Sequence, residues 1–391
     1  MTHSKQSHIL YVIVLIVILA RHTLYLDEIP ILRFTFSALH YAFVFVAIHL
    51  LIHNRIKTTL LDWGMVAYGA ILFFSSIYNH IAFIDFGPLI GTTIDIFIVW
   101  TILRSFFVNK DIFPIKAMIL ILSSFIYINF VLLLLFPNGL WHLTDFDRNS
   151  AYLLGGNYNQ MGKAFLLSLL LNTIYTHKTK QLRSNLIISS IVILISLYLV
   201  GSKTSMLGIS VFLLFAILPS RKLRSIALVT FIAAIMIFQC TIVFSGEEIT
   251  NQRIVHFVED VLHKDMTFSD RTNIWYQSVL TIADSPIIGY GMQNKEWYEQ
   301  EIGSMMPHNY VLSVLMRGGF VLLICAILNI LLAYRQYRKH KTFSHQIIYI
   351  TLWVFLFMML VEVYSFLIMS ILFICLSYIH LLKPNEEPTT L

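Results

Sequence analysis

Twelve apolar runs, separated by short polar breaks, set what this chain can fold into. They fall at 8–25, 34–53, 63–82, 88–107, 115–136, 161–177, 184–201, 204–219, 225–245, 311–334, 345–362 and 364–382. Crossing the hydrocarbon core of a bilayer takes about 20 helical residues. In lipid each backbone N–H and C=O must bond within its own segment, so such runs fold as helices. Composition agrees. Of 391 residues, 58% are hydrophobic and 12% are charged, against about 25% charged in a soluble chain. This argues against a soluble enzyme, a disulfide scaffold and a disordered tail. The expectation is all-α: a polytopic membrane protein of about twelve transmembrane helices in a single transmembrane domain, 1–391. The first run lacks a small-residue cleavage site and continues into Arg21, Asp27 and Glu28, so it reads as a span and not a signal peptide. The last two runs divide only around Glu362 to Ser365.

The distribution of Lys and Arg explains the formal charge of +6. With Lys5 and the N-terminus cytoplasmic, successive inward connections carry Arg55 and Lys57, then Arg104, Lys110 and Lys116. Lys178, Lys180 and Arg183 follow, then Arg221, Lys222 and Arg224, and last Arg335, Arg338, Lys339 and Lys341. This is the positive-inside pattern. It puts both termini in the cytoplasm, with a short tail at 383–391, and leaves no basic surface for nucleic acid. Cys240, Cys325 and Cys375 lie in apolar runs without a CxxC pair, so they read as buried hydrophobes.

Two outward segments are long, 137–160 and 245–309, and long loops often carry function. In the larger, Glu247 to Leu262 has one apolar helical face. Ser269 caps a second helix that runs through Asp284 and stops at Pro286. Interfacial amphipathic helices and a lid over an outward cavity both fit this pattern. Arg271 falls in the first turn, where a cation opposes the helix dipole. The turn Gly289-Tyr290-Gly291 follows without the strand and helix of a nucleotide loop, so the glycines serve the turn. His308 sits where the chain re-enters the bilayer, and a histidine there can accept a proton near neutral pH. Trp141, Trp275 and Trp297 fit an interfacial aromatic belt or platforms for sugars.

Ionisable groups gather near the same ends of the spans. Lys203 lies in the short turn GSKTS, Lys163 opens the sixth run, and Arg317 lies about 10 Å inside the tenth. Asp95 and Glu362 are embedded as well, and intramembrane charges usually face a cavity or a partner. Cations suit the oxygens of a diphosphate. Asn157 and Asn159, just before the sixth run, offer amides suited to sugar hydroxyls.

Three segments in order, GGNYNQMGKAFLLSLLL, GSKTSMLGISVFLLF and DRTNIWYQSVLTIADSPIIGYG…MMPHNYVLSVLMRGGFVLL, resemble the O-antigen ligase/polymerase superfamily over roughly residues 155–325. The resemblance implies a metal-independent membrane glycosyltransferase without a cofactor. It would act on glycans linked to polyprenyl (undecaprenyl) diphosphate at the outer face of the bacterial cytoplasmic membrane. Arg271 matches the family's loop arginine and His308 its reactive histidine. Lys203 stands where arginine is more usual, keeping the charge and losing the bidentate fork. The binding set is Lys203, Arg317, Asn157, Asn159, Asn309, Tyr290 and Glu362. Expected partners are the lipid-linked oligosaccharide, the bilayer, a flippase and a chain-length regulator. The expected function is polymerisation of repeat units into capsule or O-antigen. Ligase-type transfer to a lipid, teichoic acid or protein acceptor is the alternative, with a lipid-linked glycan flippase and a passive assembly component behind it. The chain shows no internal repeat of the kind that transporters carry.

Overall fold

A helix lies on each of the twelve apolar runs. The computed structural model describes residues 5–53, 57–142, 150–179, 183–244 and 267–382. The helices are α1 (Lys5–Thr23), α2 (Pro30–His53), α3 (Leu60–Tyr78), α4 (Phe83–Val108), α5 (Phe113–Leu135), α6 (Met161–Thr179), α7 (Arg183–Leu199), α8 (Lys203–Ile217) and α9 (Arg221–Phe238). A π-helical turn, Gln239–Val243, extends α9. Then come α10 (Thr267–Asp284), α11 (Lys295–Ile302), α12 (Tyr310–His340), α13 (Phe343–Met358) and α14 (Phe366–Tyr378), with a 3₁₀ turn at Ile379–Leu381. A two-residue ladder pairs Trp141–His142 with Ser150–Ala151. The expected helix at Glu247 to Leu262 and the tail 383–391 lie outside the described residues.

Length and composition qualify six of these helices to cross a membrane: α2, α3, α4, α5, α9 with its π turn, and α12. Five shorter apolar helices accompany them, within α1, α7, α8, α13 and α14. The expectation of about twelve spans is therefore met only in part: among the described residues six helices are long enough to cross and five shorter apolar helices stand beside them.

Local sequence explains where the helices begin. Thr59 and Asp62 form a reciprocal capping box at α3, satisfying two otherwise orphaned donors. Asn294, Asn309, Thr342 and Ser365 cap α11, α12, α13 and α14 through side-chain oxygens. The break at 359–365 separates α13 from α14 where the sequence showed only a weak polar interruption.

Burial divides the helices into a centre and a rim. Every α14 residue from Leu367 to Tyr378 is buried, and so is most of α6. A helix apolar all round is stable when neighbours surround it. Here α14 packs on α3, α4, α12 and α13, while α6 packs on α5, α7, α8 and α13. Rim helices turn large apolar side chains outward, among them Phe34, Phe45, Ile217 and Val229. Exposed in water, such surface would be unfavourable by about 25 cal/mol per Å²; a lipid environment removes that penalty.

The 267–302 region is docked on the bundle. Trp275 is 1% exposed and packs with Tyr298, Ile302, Leu312 and Met316. It is therefore a core residue, neither an interfacial anchor nor a sugar platform. One glycine makes the docking possible. Gly319 breaks α12 at φ 59°, and the amides of Phe320 and Val321 bond the carbonyls of Pro286 and Ile287 at 2.7 and 3.2 Å. In return Tyr290 and Gly291 donate to the carbonyls of Met316 and Arg317 at 2.6 and 3.0 Å. A Cβ on Gly319 would stand 2.2 Å from the Ile287 carbonyl oxygen, so the backbones approach too closely for a side chain.

Candidate active site

The site forms where α12 begins and α13 gives way to α14. Asn309 is the cap of α12, and its Oδ1 accepts the Leu312 N–H at 3.1 Å. Its Nδ2 donates to Gln239 Oε1 and to the Leu360 carbonyl, both at 3.0 Å. The Tyr310 N–H bonds the Met359 carbonyl at 2.9 Å. These bonds hold 308–310 against 359–362. They also fix His308 at φ 48°, a left-handed conformation that costs a non-glycine residue about 1–3 kcal/mol. Such strain persists when the surroundings over-determine it, and Asn309 supplies that constraint.

His308 Nδ1 then lies 3.8 Å from Glu362 Oε1. That separation is beyond a hydrogen bond, so the pairing is electrostatic. Glu362 is 2% exposed, and the His308 side chain is 24% exposed. Glu362 Oε1 accepts from Gln160 Nε2 at 2.9 Å and from the Val363 N–H at 3.3 Å. Lys163 Nζ donates to Gln160 Oε1 at 3.2 Å, and its charge acts on Glu362. Burial pushes the Glu362 carboxyl upward, but His308, the Arg271 charge and the Val363 N–H together hold it below the usual carboxylate range. Glu362 is therefore an anion at neutral pH with cationic neighbours. Its Oε2 and His308 Nδ1 are buried without a hydrogen-bond partner among the described residues.

The structure thus brings two predicted residues together, His308 and Glu362, and a third, Arg271, acts on Glu362 through its charge. The helix carrying Arg271 is already formed at Thr267, two residues before the expected Ser269 cap. Arg271 therefore sits beyond the first turn, and the dipole argument for it fails. Its charge acts on Glu362. Arg317 lies deeper in α12, where its charge interacts with Tyr298, Tyr68 and Tyr310. Lys203 is exposed at the start of α8.

Four other predicted residues have polar groups engaged within the protein. Asn309 is the cap just described. Tyr290 donates its hydroxyl to the Thr281 carbonyl at 2.7 Å, with its ring 5.0 Å from that of Trp297. Asn157 Oδ1 accepts the Asn159 N–H at 2.7 Å, closing a turn. Asn159 Oδ1 accepts from Ser202 at 3.2 Å, and its carbonyl accepts from Tyr364 at 3.1 Å. The Asn-x-Asn element thus seats the start of α6 on α8 and on the 359–365 break.

Sequence reasoning missed Gln160, which needed Glu362 as a partner 202 residues away. It also left Asp95 without partners. In the fold Asp95 is fully buried and receives Arg21 at 2.5 Å, His22 at 3.0 Å and His40 at 3.0 Å. His22 Nδ1 also lies 3.0 Å from Ser365 Oγ, which ties this cluster to the segment carrying Glu362. A basic pair at the end of α1 was the available signal.

No curated protein sequence matches the chain at a significant level. The family model for O-antigen ligase matches residues 188–327, a segment from α7 to α12 that includes Arg271 and His308. With the apolar helices, that match points to a multi-pass bacterial membrane protein and to glycan transfer of this general type, and it supports the O-antigen ligase/polymerase superfamily for this chain.

Proposed function

We propose that the protein polymerises polyprenyl-diphosphate-linked oligosaccharide repeats at the outer face of the cytoplasmic membrane. The observation that carries this reading is the pairing of His308 with the buried Glu362, whose carboxylate also feels the Arg271 charge. In this account the twelve apolar helices cross the membrane with both termini cytoplasmic. The basic cluster of Arg335, Arg338 and Lys339 at the far end of α12 then faces inward, and His308 faces outward.

Glu362 holds the Nδ1 side of His308, leaving the opposite ring nitrogen for an acceptor sugar hydroxyl. As that oxygen attacks the anomeric carbon of the donor glycan, His308 takes its proton. The bond from the anomeric carbon to the diphosphate oxygen breaks, and its electron pair stays on the diphosphate. Arg271, with Lys163 nearby, offsets the developing negative charge. A single displacement inverts the anomeric centre. Glu362 stabilises the imidazolium formed on the way.

Ligase-type transfer uses the same steps with a different acceptor. The two readings separate when the purified protein, reconstituted in lipid, receives only lipid-linked repeats. Polymerisation gives a ladder of lipid-linked oligomers. Product that forms only after a non-diphosphate acceptor is added overturns polymerisation in favour of ligation.

A further inference from the structure

The end of the bundle opposite His308 holds a second cluster. Along α12 the separation from Tyr310 to His340 is roughly 45 Å at 1.5 Å per residue. There His340 closes α12, His345 lies in the first turn of α13, and His380 follows α14. One ring nitrogen from each lies within 4.8 Å of the others. His345 is fully buried. Its Nδ1 lies 2.7 Å from Thr342 Oγ1, the oxygen that also accepts the His345 N–H. With Nδ1–H donating to that oxygen, the lone pair of His345 falls on Nε2. The Nε2 atoms of both His345 and His340 are buried without a partner among the described residues.

A buried nitrogen without a hydrogen-bond partner is unfavourable, and a cation shared by the three close-lying rings would satisfy both. Histidine nitrogens suit zinc, copper and nickel better than magnesium or calcium. A metal-bound histidine usually donates its second ring N–H to an acceptor that fixes tautomer and orientation, and here the Thr342 hydroxyl oxygen stands in that place. We infer that His340, His345 and His380 form a binding site for a borderline transition-metal ion of the Zn²⁺ class, with a fourth position open to water.

Zinc–nitrogen bonds are about 2.0–2.1 Å, so the three nitrogens must close by about 1 Å. His340 and His380 stack with centroids 3.9 Å apart and planes 16° from parallel. Their lone pairs converge once the exposed His380 ring turns about its Cβ–Cγ bond. Lys178 and Lys339 are the charged groups acting on the cluster, and their repulsion makes the site weaker than a carboxylate-lined one. The metal would join the end of α12 to the start of α13 and the end of α14. Its distance from His308 separates it from glycosyl transfer.

The test uses the full chain carrying a tag without histidines, purified in detergent and stripped with a chelator. Co²⁺ is titrated by its visible absorption and Zn²⁺ by competition and elemental analysis. The expected result is one equivalent per chain, with a thermal midpoint that rises on adding Zn²⁺. His380→Ala, at an exposed position, abolishes both effects, and its thermal midpoint without metal shows what loss of the ring stack alone costs. Thr342→Val weakens Zn²⁺ about 10–100-fold. Less than one equivalent in the wild type, or equal Zn²⁺ binding in the wild type and His380→Ala, overturns the site.

Discussion

Replacing Glu362 by Gln isolates the charge that faces His308. The amide oxygen can still accept from Gln160 Nε2 and the Val363 N–H, so the shape and two hydrogen bonds survive. The anion is lost. Two unit charges 3.8 Å apart interact by about 4 kcal/mol at an effective dielectric constant of about 20. His308 is 24% exposed, so solvent screens the pair, and about half that value is a fair expectation. A loss of about 2 kcal/mol falls on the transition state, where His308 is becoming an imidazolium. It corresponds to about 30-fold in kcat. Because the carboxylate holds the histidine and not the sugar, KM should move little. The assay is chain growth by reconstituted protein under saturating lipid-linked repeat, with thermal unfolding checked alongside. A kcat within twofold of wild type refutes the ion-pair reasoning, and a change confined to KM reassigns Glu362 to substrate binding.

Other perturbations test the framework around the site. Gly319→Ala sets a Cβ against the Ile287 carbonyl and places alanine at φ 59°, so it should destabilise by about 3 kcal/mol; an unchanged thermal midpoint in detergent contradicts the docked-turn account. Asp95→Asn leaves Arg21, His22 and His40 without their shared anion, at the lower end of the 3–5 kcal/mol range for a broken buried pair, about 3 kcal/mol, because Arg21 keeps some solvent contact. A loss below about 1 kcal/mol in a denaturant titration shows that the cluster does not hold α1, α2 and α4 together. The Glu362 carboxyl is held below its ordinary range, so its stabilising contribution is complete above the unfolded carboxyl value of about 4.3 and is lost as pH falls through the folded value. The stability difference between wild type and Glu362→Gln should therefore disappear as pH falls below the folded carboxyl value. A difference that persists once the carboxyl is protonated contradicts the sign of the linkage.

Properties set by neighbours in sequence were readable and properties set by distant contacts were not. Apolar runs and caps are local, so the helices appear where the hydropathy places them, including the break near Glu362. The second helix of the 245–309 segment ends at Asp284 as Pro286 requires. Its start was misjudged because Ser269 is a good cap by type, yet the helix continues back to Thr267. Trp275 reads as an interfacial aromatic in an amphipathic segment; its burial follows from a partner surface on α12 that no local pattern reveals. The same limit governs the site. His308 and Arg271 stand out by motif, but their shared dependence on Glu362, and the Gln160 bond that orients it, exist only once the ends of α6, α12 and α13 meet. Asn309 and Tyr290 were read as ligand groups because polar residues beside a reactive histidine invite that reading. In the structure Asn309 holds the backbone beside His308, and the Tyr290 hydroxyl bonds the Thr281 carbonyl.

The central claim is that His308 takes the proton of the attacking hydroxyl. It is tested most directly by glycan length in a deletion strain complemented with wild type or His308→Ala, with membrane abundance matched. Loss of a general base lowers the rate by about 10²–10⁴. Wild type should therefore restore long chains, while His308→Ala leaves single repeats. Long chains of wild-type length from His308→Ala contradict the account.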